Sequence, residues 1–274
     1  MLKDVIVGLG PESAVDPAAN FAISLAKDFN LQMFGAGFAF VPVYPATTPM
    51  EALGADFISA QRAQNKKAAN AAVARFQRVA NEVGVTAQSR ILEAPVADAS
   101  RQFAELARHF DVAILGQAKP DFWETDLIIE AALFESGRPL IVVPYIYSGP
   151  MKLSHITVCW DGGRPAARAV GDAMPFLLRA KKVDLVTIAT GATEELSSAE
   201  MEGHLARHGV KSASRRLMTD RGEEANAILN HAADTMTDLI VMGGYGHTRL
   251  REFILGGVTL GILRSMTAPV LLSH

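Results

Sequence analysis

The sequence predicts an α/β protein made of two tandem copies of a small parallel sheet covered by helices. The chain has 274 residues, and at roughly 150 residues per domain this length is enough for two domains that each bury a core. Short apolar runs alternate with longer helical segments, an order typical of βαβ units with parallel strands and right-handed crossovers. The same order occurs twice, which indicates an internal repeat.

Matched segments in the two halves carry the evidence for the repeat. Each half opens with a β-branched run, at residues 4–8 and 155–159, followed by a turn and an alanine-rich stretch. A short motif recurs with the same spacing, since Gly84-Val85 with Ser89-Arg90 matches Gly209-Val210 with Ser214-Arg215. Two apolar runs that are typical of buried strands also match: 111–116 with 238–243, and 138–143 with 268–273. Shared spacing over the whole length of each half indicates a common fold.

Runs of β-branched and apolar residues define the strands, alanine-rich stretches define helices, and glycine and proline mark the turns between them. The predicted order in the first half is strand 4–8, helix 16–29, strand 32–41, helix 51–83, strand 86–92, helix 97–108, strand 111–116, helix 125–136 and strand 139–143. The second half follows the same order. Turn residues at 147–150 interrupt the apolar pattern, so we predict domains at 1–148 and 149–274.

Composition excludes several classes of partner. The net charge of −3 gives no electrostatic footprint for nucleic acid or for an anionic membrane surface. No apolar run approaches the roughly 20 residues that span a bilayer, and Lys3 and Asp4 stand where a signal peptide would need apolar residues. We therefore expect a soluble, cytoplasmic protein. The single cysteine, Cys159, lies in an apolar run and is interpreted as a buried structural thiol.

A glycine-rich segment at residues 243–259 is the candidate ligand-binding motif. It follows a predicted buried strand and precedes an apolar helical stretch. Glycines let backbone N–H groups approach a ligand closely, and a following helix N-terminus adds further donors, so an anion would be well placed there. His247, Arg249 and Arg251 follow the first glycines; they either neutralise phosphate charge or form an exposed polar loop.

This segment resembles the nucleotide loop of the universal stress protein family. The family pattern is Gly, two residues, Gly, nine residues, Gly, then Ser or Thr, shortly before a Pro-Val strand. Gly243, Gly246 and Gly256 match, and Pro269-Val270 follows. The resemblance covers both halves and implies two copies of a Rossmann-like, five-stranded parallel-sheet fold, with ATP, alone or with Mg²⁺, as the ligand.

One position of the motif departs from the family pattern. Gly257 stands where the family places a hydroxyl that contacts phosphate. Loss of a hydrogen bond to a charged group costs roughly 1.5–3 kcal/mol, which weakens binding about ten- to a hundredfold. The backbone N–H groups of Gly257 and Val258 remain, and Thr259 is near enough in sequence to supply a hydroxyl.

Asp161 is the second feature that the resemblance assigns to the nucleotide. It follows the first strand of the second half, where the family has an aspartate that contacts the nucleoside. A carboxylate at the carboxyl end of a parallel strand lies at the crevice where open α/β sheets bind ligands. The alternative is a carboxylate that caps the next helix.

The first half lacks both features. After its fourth strand only Gly116 remains of the motif, followed by Gln-Ala-Lys-Pro, and Leu9-Gly10-Pro11 stands where the acidic residue would be. We expect this half to bind no nucleotide. His204 and His208 lie four apart on a predicted helix, but without a third ligand nearby they are interpreted as a solvated helix face, and we predict no metal site.

The leading hypothesis is a non-enzymatic, adenine nucleotide-binding stress-response or signalling protein that couples ATP occupancy to an unknown protein partner. The alternatives are a nucleotide-free structural or interaction module of the same fold, and a slow ATP hydrolase that would have only Asp161 as a general base. The resemblance also implies an intramolecular pseudo-dimer through the last strands, 139–143 and 268–273. Association of two chains as a homodimer stays open.

Overall fold

The computed structural model describes residues 2–10, 16–43, 55–119, 123–190, 198–244 and 257–274. The chain is a mixed α/β protein with mainly parallel strands, which confirms the predicted fold class. Its contacts divide it into a first unit, residues 2–138, and a second unit, residues 139–274. The boundary predicted from composition, between 148 and 149, stays a prediction; the division by contacts falls earlier because one short strand groups with the second unit.

The first unit is a parallel sheet with strands in the order β3-β2-β1-β4. Its elements are β1 (Asp4–Leu9), α1 (Pro17–Phe29), β2 (Gln32–Phe40), α2 (Ala55–Glu82), β3 (Ala87–Ala94), α3 (Val96–Ala107), β4 (Val112–Gly116) and α4 (Trp123–Glu135). Helix α1 begins where Asp16 accepts a hydrogen bond from the Ala19 N–H, and it ends at Asn30 in the left-handed region. Both caps are ordinary devices for satisfying the free backbone groups of helix ends.

The second unit repeats this order and adds one strand at each end. The added strands are β5 (Leu140–Val143) at its start and β10 (Val270–Ser273) at its end. Between them lie β6 (His155–Cys159), α5 (Arg164–Leu177), β7 (Lys182–Ala189), α6 (Ala199–Arg207), β8 (Ser212–Met218), α7 (Glu224–Asp234), β9 (Leu239–Gly243) and α8 (Gly257–Ser265). Strands β8-β7-β6-β9-β10 are parallel neighbours, and β5 runs antiparallel to β10.

An aspartate anchors the start of the first strand in each unit. In the first unit, Asp111 Oδ2 accepts hydrogen bonds from the N–H groups of Lys3, at 2.6 Å, and Asp4, at 3.3 Å. In the second unit, Asp238 Oδ2 accepts from the N–H groups of Ser154, at 2.7 Å, and His155, at 3.0 Å. The sequence matched the two aspartates as the first residues of equivalent strands, and the structure shows the same contact in both copies.

The core of each unit lies between its sheet and its helices. Strands β1 and β4 in the first unit and β6 and β9 in the second are almost wholly buried, because helices cover both faces of a parallel sheet. None of the helices that the structure describes is long and apolar enough to cross a lipid bilayer.

Candidate functional site

The strand order creates a switch point in the second unit, between β6 and β9. From β6 the chain proceeds to β7 and β8 on one side, and then returns to form β9 on the other side. In open α/β sheets the crevice at the carboxyl ends of the two strands that flank such a point is where ligands bind. Residues that follow β6 and β9 therefore face the best-placed crevice of this unit.

Asp161 lies at this crevice, just after β6. Its side chain is exposed, and its Oδ1 accepts a hydrogen bond of 2.8 Å from the N–H of Gly163. Gly163 is the N-cap residue of α5. The carboxylate therefore shapes the turn that precedes α5, but it does not cap the helix, since its bond goes to the N-cap residue and not to an N–H of the first turn. One oxygen makes this bond, so the same carboxylate can offer Oδ2 to a ligand hydroxyl.

Gly243, at the end of β9, is a position where only glycine fits. A Cβ built there would lie 2.6 Å from the backbone nitrogen of Ala166, in the first turn of α5. The backbone of β9 thus passes directly against the N-terminus of α5. Since helix N-termini carry unpaired N–H donors and partial positive charge, this close approach puts strand end and helix start on the same crevice.

The chain after Gly243 is held by β10. The N–H of Gly244 donates to the carbonyl of Ser273 at 2.8 Å, and His274 Nδ1 donates to the carbonyl of Gly244 at 3.1 Å. The sequence analysis did not identify His274 as a neighbour of the glycine segment. The position of His274 just after the Pro-Val strand could have indicated this contact, because that strand is parallel to β9 and ends at the same edge of the sheet.

The far end of the glycine segment enters α8. Gly257 is the exposed first residue of this helix, and a Cβ added there would meet no atom of the described residues within 4 Å. Val258 is half-buried, whereas Thr259 is only 4% exposed. The Thr259 hydroxyl therefore lies inside the unit rather than at its surface, and its role at a ligand stays a prediction. The other predicted site residues, Gly246, His247 and Gly256, lie outside the described residues.

The corresponding edge of the first unit is built differently. Asp16 Oδ2 accepts from the N–H of Gly10 at 2.8 Å, and Arg75 donates to the carbonyl of Gly10 at 3.4 Å. Burial raises the pKa of Asp16 above its ordinary value, and backbone hydrogen bonds oppose the rise. The cavity beside these residues, between α1 and α2, measures about 160 Å³, which is below the range of about 300–1,000 Å³ for small-molecule sites.

Other candidate groups in the described chain form no reactive site. The rings of His204 and His208 lie 4.6 Å apart, and within the described ranges no group of three or more His, Cys, Asp or Glu side chains could hold a metal ion. Burial, with a smaller contribution from the charge of Asp161, raises the pKa of the Cys159 thiol to about 12. A thiol with this pKa is not a nucleophile at neutral pH.

Comparison with known proteins identifies similar chains. Residues 152–274 match the model of the universal stress protein family. Universal stress protein Slr1230 of Synechocystis sp. is 26% identical over 175 residues, which is 61% of this chain and 59% of that protein. Universal stress protein YxiE of Bacillus subtilis is 43% identical over 51 residues, which is 19% of this chain and 34% of that protein. The chain thus matches less than two thirds of the length of either relative.

The fold also matches a solved structure along nearly its whole length. A universal stress protein from Archaeoglobus fulgidus superposes with a TM-score of 0.69 and 14% identity, covering 98% of this chain and 95% of that one. At this identity the likeness shows the fold.

Proposed function

Because the chain belongs to the universal stress protein family, we propose that it is a non-enzymatic, cytoplasmic stress-response or signalling protein that binds ATP in its second unit. Asp161 and the glycine segment 243–259 form the site, and ATP binds alone or with Mg²⁺. Occupancy of the site is coupled to a protein partner, and the two halves of the chain form an intramolecular pseudo-dimer.

The observation that carries this proposal is that Asp161 and Gly243 lie at the carboxyl ends of the two strands that flank the switch point. β6 and β9 are hydrogen-bonded neighbours, so the residues that follow them share one edge of the sheet. The exposed carboxylate of Asp161 can accept a hydrogen bond from a ribose hydroxyl. Gly243 lets the strand and the α5 N-terminus meet closely enough for backbone N–H groups to surround an anion.

The first test is ATP binding by the folded chain and by Asp161→Ala. We expect saturable binding by the wild type and an affinity about ten- to a hundredfold lower in the variant, because a hydrogen bond to a charged group is lost. Calorimetric titration measures both, and nucleotide released from freshly purified protein by denaturation shows whether ATP copurifies. Asp220→Ala is the matched control, since Asp220 is also exposed at a carboxyl strand end, after β8.

The second test is a gain of affinity. Gly257→Ser restores the hydroxyl that the family pattern contains, at an exposed helix start where a Cβ contacts none of the described residues. We expect ATP to bind about ten- to a hundredfold more tightly than in the wild type. Gly257→Ala adds the same Cβ without the hydroxyl and should leave the affinity unchanged. Equal affinities for the serine and alanine variants would remove Gly257 from the phosphate site.

The competing proposal is a module of the same fold that binds no nucleotide and acts only through a partner. The absent hydroxyl at Gly257 and the bond between Asp161 and Gly163 favour it. No binding by the folded wild type at millimolar ATP, and none by Gly257→Ser, would establish it. ATP turnover above a denatured control that disappears in Asp161→Ala would instead revive the hydrolase.

A further inference from the structure

A buried group of charges in the second unit lies outside the proposed ATP site. Its centre is Asp184 on β7, whose side chain is 0% exposed. Four cationic or titratable groups surround its carboxylate: His155 Nε2 at 2.9 Å, Lys182 Nζ at 3.3 Å, His231 Nε2 at 3.4 Å and Arg215 Nε at 3.5 Å. We call these residues the Asp184 cluster. His155 begins β6 and Lys182 begins β7, so the cluster lies toward the amino ends of the strands, away from the ATP crevice.

His155 connects the carboxylate of Asp184 to the residue that ends α7. Its Nδ1 lies 2.9 Å from the carbonyl oxygen of Thr235, which can only accept, so Nδ1 donates. Its Nε2 lies 2.9 Å from the carboxylate of Asp184. Asp238 binds the backbone N–H of His155 at 3.0 Å, which fixes the strand start.

The charge of Asp184 is already matched without His231. Burial opposes its ionisation, but the hydrogen bond from Lys182 and the charges of His155 and Lys182 outweigh it and hold the pKa of Asp184 below its ordinary value. Arg215 approaches the other oxygen, Oδ1, from β8 at 3.5 Å, but Oδ1 accepts no hydrogen bond from the described residues. The side chains of Lys182 and Arg215 remain about half exposed, whereas His155 is buried. A further cation would add repulsion rather than complete a pair.

His231 is the member of the cluster that lacks a firm partner. Its side chain is 11% exposed, and its Nε2 makes no hydrogen bond of normal geometry with the described residues. Burial lowers its pKa below the ordinary value; the charge of Asp184 opposes this effect, and the charges of His155 and Lys182 reinforce it. The ring is therefore neutral at neutral pH and stands ready to gain a proton as the solution becomes acidic.

We propose that the Asp184 cluster is a pH-sensitive switch, in which protonation of His231 loosens α7 from the second unit. His231 lies on α7, and its protonated ring would add a positive charge at a carboxylate that Lys182 and Arg215 already approach. The helix also contacts α8, where a Cβ at Gly261 would lie 2.8 Å from the Cβ of Ala225, and it buries Ile228 and Ala232. The described groups that face His231 are Asp184 and Lys182 from β7, His155 from β6 and, through the carboxylate, Arg215 from β8.

The sign of the effect follows from proton linkage. Because the pKa of His231 is lower in the folded chain than in the unfolded chain, the unfolded chain binds more protons between the two values. Its contribution to stability is present above the ordinary histidine pKa, near ~6.5, and is lost as the pH falls below that value. The proposal is independent of ATP binding, since none of these residues belongs to the crevice.

The test compares the melting temperature of the full chain at about pH 7.5 and about pH 5.5, on either side of the ordinary histidine pKa. His231→Gln keeps an N–H donor but cannot titrate, so we expect it to lose about 2–4 °C less than the wild type across this interval. His208→Gln, at an exposed histidine of the same unit, should keep the dependence of the wild type. The same loss in His231→Gln and in the wild type would overturn the proposal.

A measurement on the wild type decides the matter even if the variant folds poorly. Nuclear magnetic resonance follows the ring protons of each histidine during a pH titration. We expect His231 to titrate below the ordinary histidine pKa, near ~6.5, and the amide signals of α7 to broaden or shift together with it. Titration of His231 at or above that ordinary value would show that the cluster does not resist its protonation, and the proposal would fail.

Discussion

At the same position of their sheets, the first unit has apolar side chains and the second has polar and charged ones. In the first unit, the third pair of residues along β1 and β2 is Ile6 with Phe34, and the ring of Phe34 lies 5.6 Å from the ring of Phe110. In the second unit the equivalent pair is Thr157 with Asp184. The residue that corresponds to Phe110 is Thr237, whose hydroxyl lies 2.7 Å from that of Thr157.

This difference shows that the fold does not require a charge at that position. An apolar side chain gains free energy by burial alone, whereas a buried carboxylate must first recover the cost of leaving water. Asp184 recovers it through His155, Lys182 and Arg215. A buried ionic cluster is therefore weak evidence of extra stability. The proposed pH dependence explains it better, because an aromatic pair such as Phe34 and Phe110 has no group that titrates.

The carboxyl edges of the two sheets differ as well. Gly116 and Gly243 end equivalent strands, yet a Cβ at Gly116 would come no closer than 3.9 Å to Ala18, whereas one at Gly243 would lie 2.6 Å from Ala166. After the first strand, the first unit has Gly10 bound by Asp16, and the second has the exposed Asp161. The edge that kept its close backbone approach is the one to which we assign ATP.

The largest effect is expected from removal of the central carboxylate. Asp184→Ala removes one partner of the buried pair with His155 and the carboxylate that Lys182 and Arg215 approach, and breaking a buried pair costs about 3–5 kcal/mol. Denaturant unfolding, followed by Trp160 fluorescence in a Trp123→Phe background, measures the second unit. Asp98→Asn, at an exposed pair with Arg101, should change stability by less than about 1 kcal/mol. A loss of that small size in Asp184→Ala would contradict the ionic account.

A smaller and equal effect is expected from the two anchoring aspartates. Asp111→Ala and Asp238→Ala each remove a carboxylate that accepts two backbone N–H groups, and hydrogen bonds to a charged group contribute roughly 1.5–3 kcal/mol. The free energy of unfolding of the altered unit should fall by that amount in each case. If one variant is destabilised and the other is not, the two aspartates do not stabilise their units in the same way.

The paired glycines should separate the two edges. Gly243→Ala forces its new methyl group against the backbone of α5, and overpacking of this kind costs about 1–3 kcal/mol. Gly116→Ala has room and should stay within about 0.5 kcal/mol of the wild type. Thermal unfolding of both variants tests this, with ATP affinity as a second readout. Equal tolerance at the two positions would mean that Gly243 does not constrain the crevice.

The smallest perturbation uses the single cysteine as a reporter of the second unit. Since the pKa of the Cys159 thiol is about 12, almost no thiolate forms near neutral pH, and a disulfide reagent should label the folded chain slowly. Labelling should become faster in Asp184→Ala, which loosens the unit that contains Cys159, and should be unchanged in Asp111→Ala. Rapid labelling of the folded wild type would show that the thiol is neither buried nor shifted.

Local patterns were enough to predict most elements. The predicted helix 16–29 is α1, Pro17–Phe29, and the predicted strand 32–41 is β2, Gln32–Phe40. The long helix, predicted at 51–83, is described as Ala55–Glu82. These boundaries follow from apolar runs, alanine-rich stretches and turn residues, which act over a few positions of the chain.

The Asp184 cluster could not be predicted in the same way. Asp184 stands within an apolar strand run, and its partners come from β6, β8 and α7. Which side chains meet depends on strand register, because a shift of one residue moves every side chain to the other face. The contact of His274 with Gly244 has the same origin. The residues predicted to bind ATP belong to a motif with fixed spacing, whereas no sequence motif indicates the contacts of Asp184 or His274.

The antiparallel pairing of β5 with β10 decides where the chain can be divided. Val142 pairs with Val270, and Leu140 with Leu272, so the end strand of the second unit is covered by residues that precede the 147–150 turn. A fragment that starts at residue 149 would expose that apolar edge, with its free N–H and carbonyl groups, to any other strand in solution. A fragment that starts at residue 139 keeps β10 paired with β5. The ten residues 139–148 thus decide whether the last strand of a recombinant second unit has a hydrogen-bonded partner on that side.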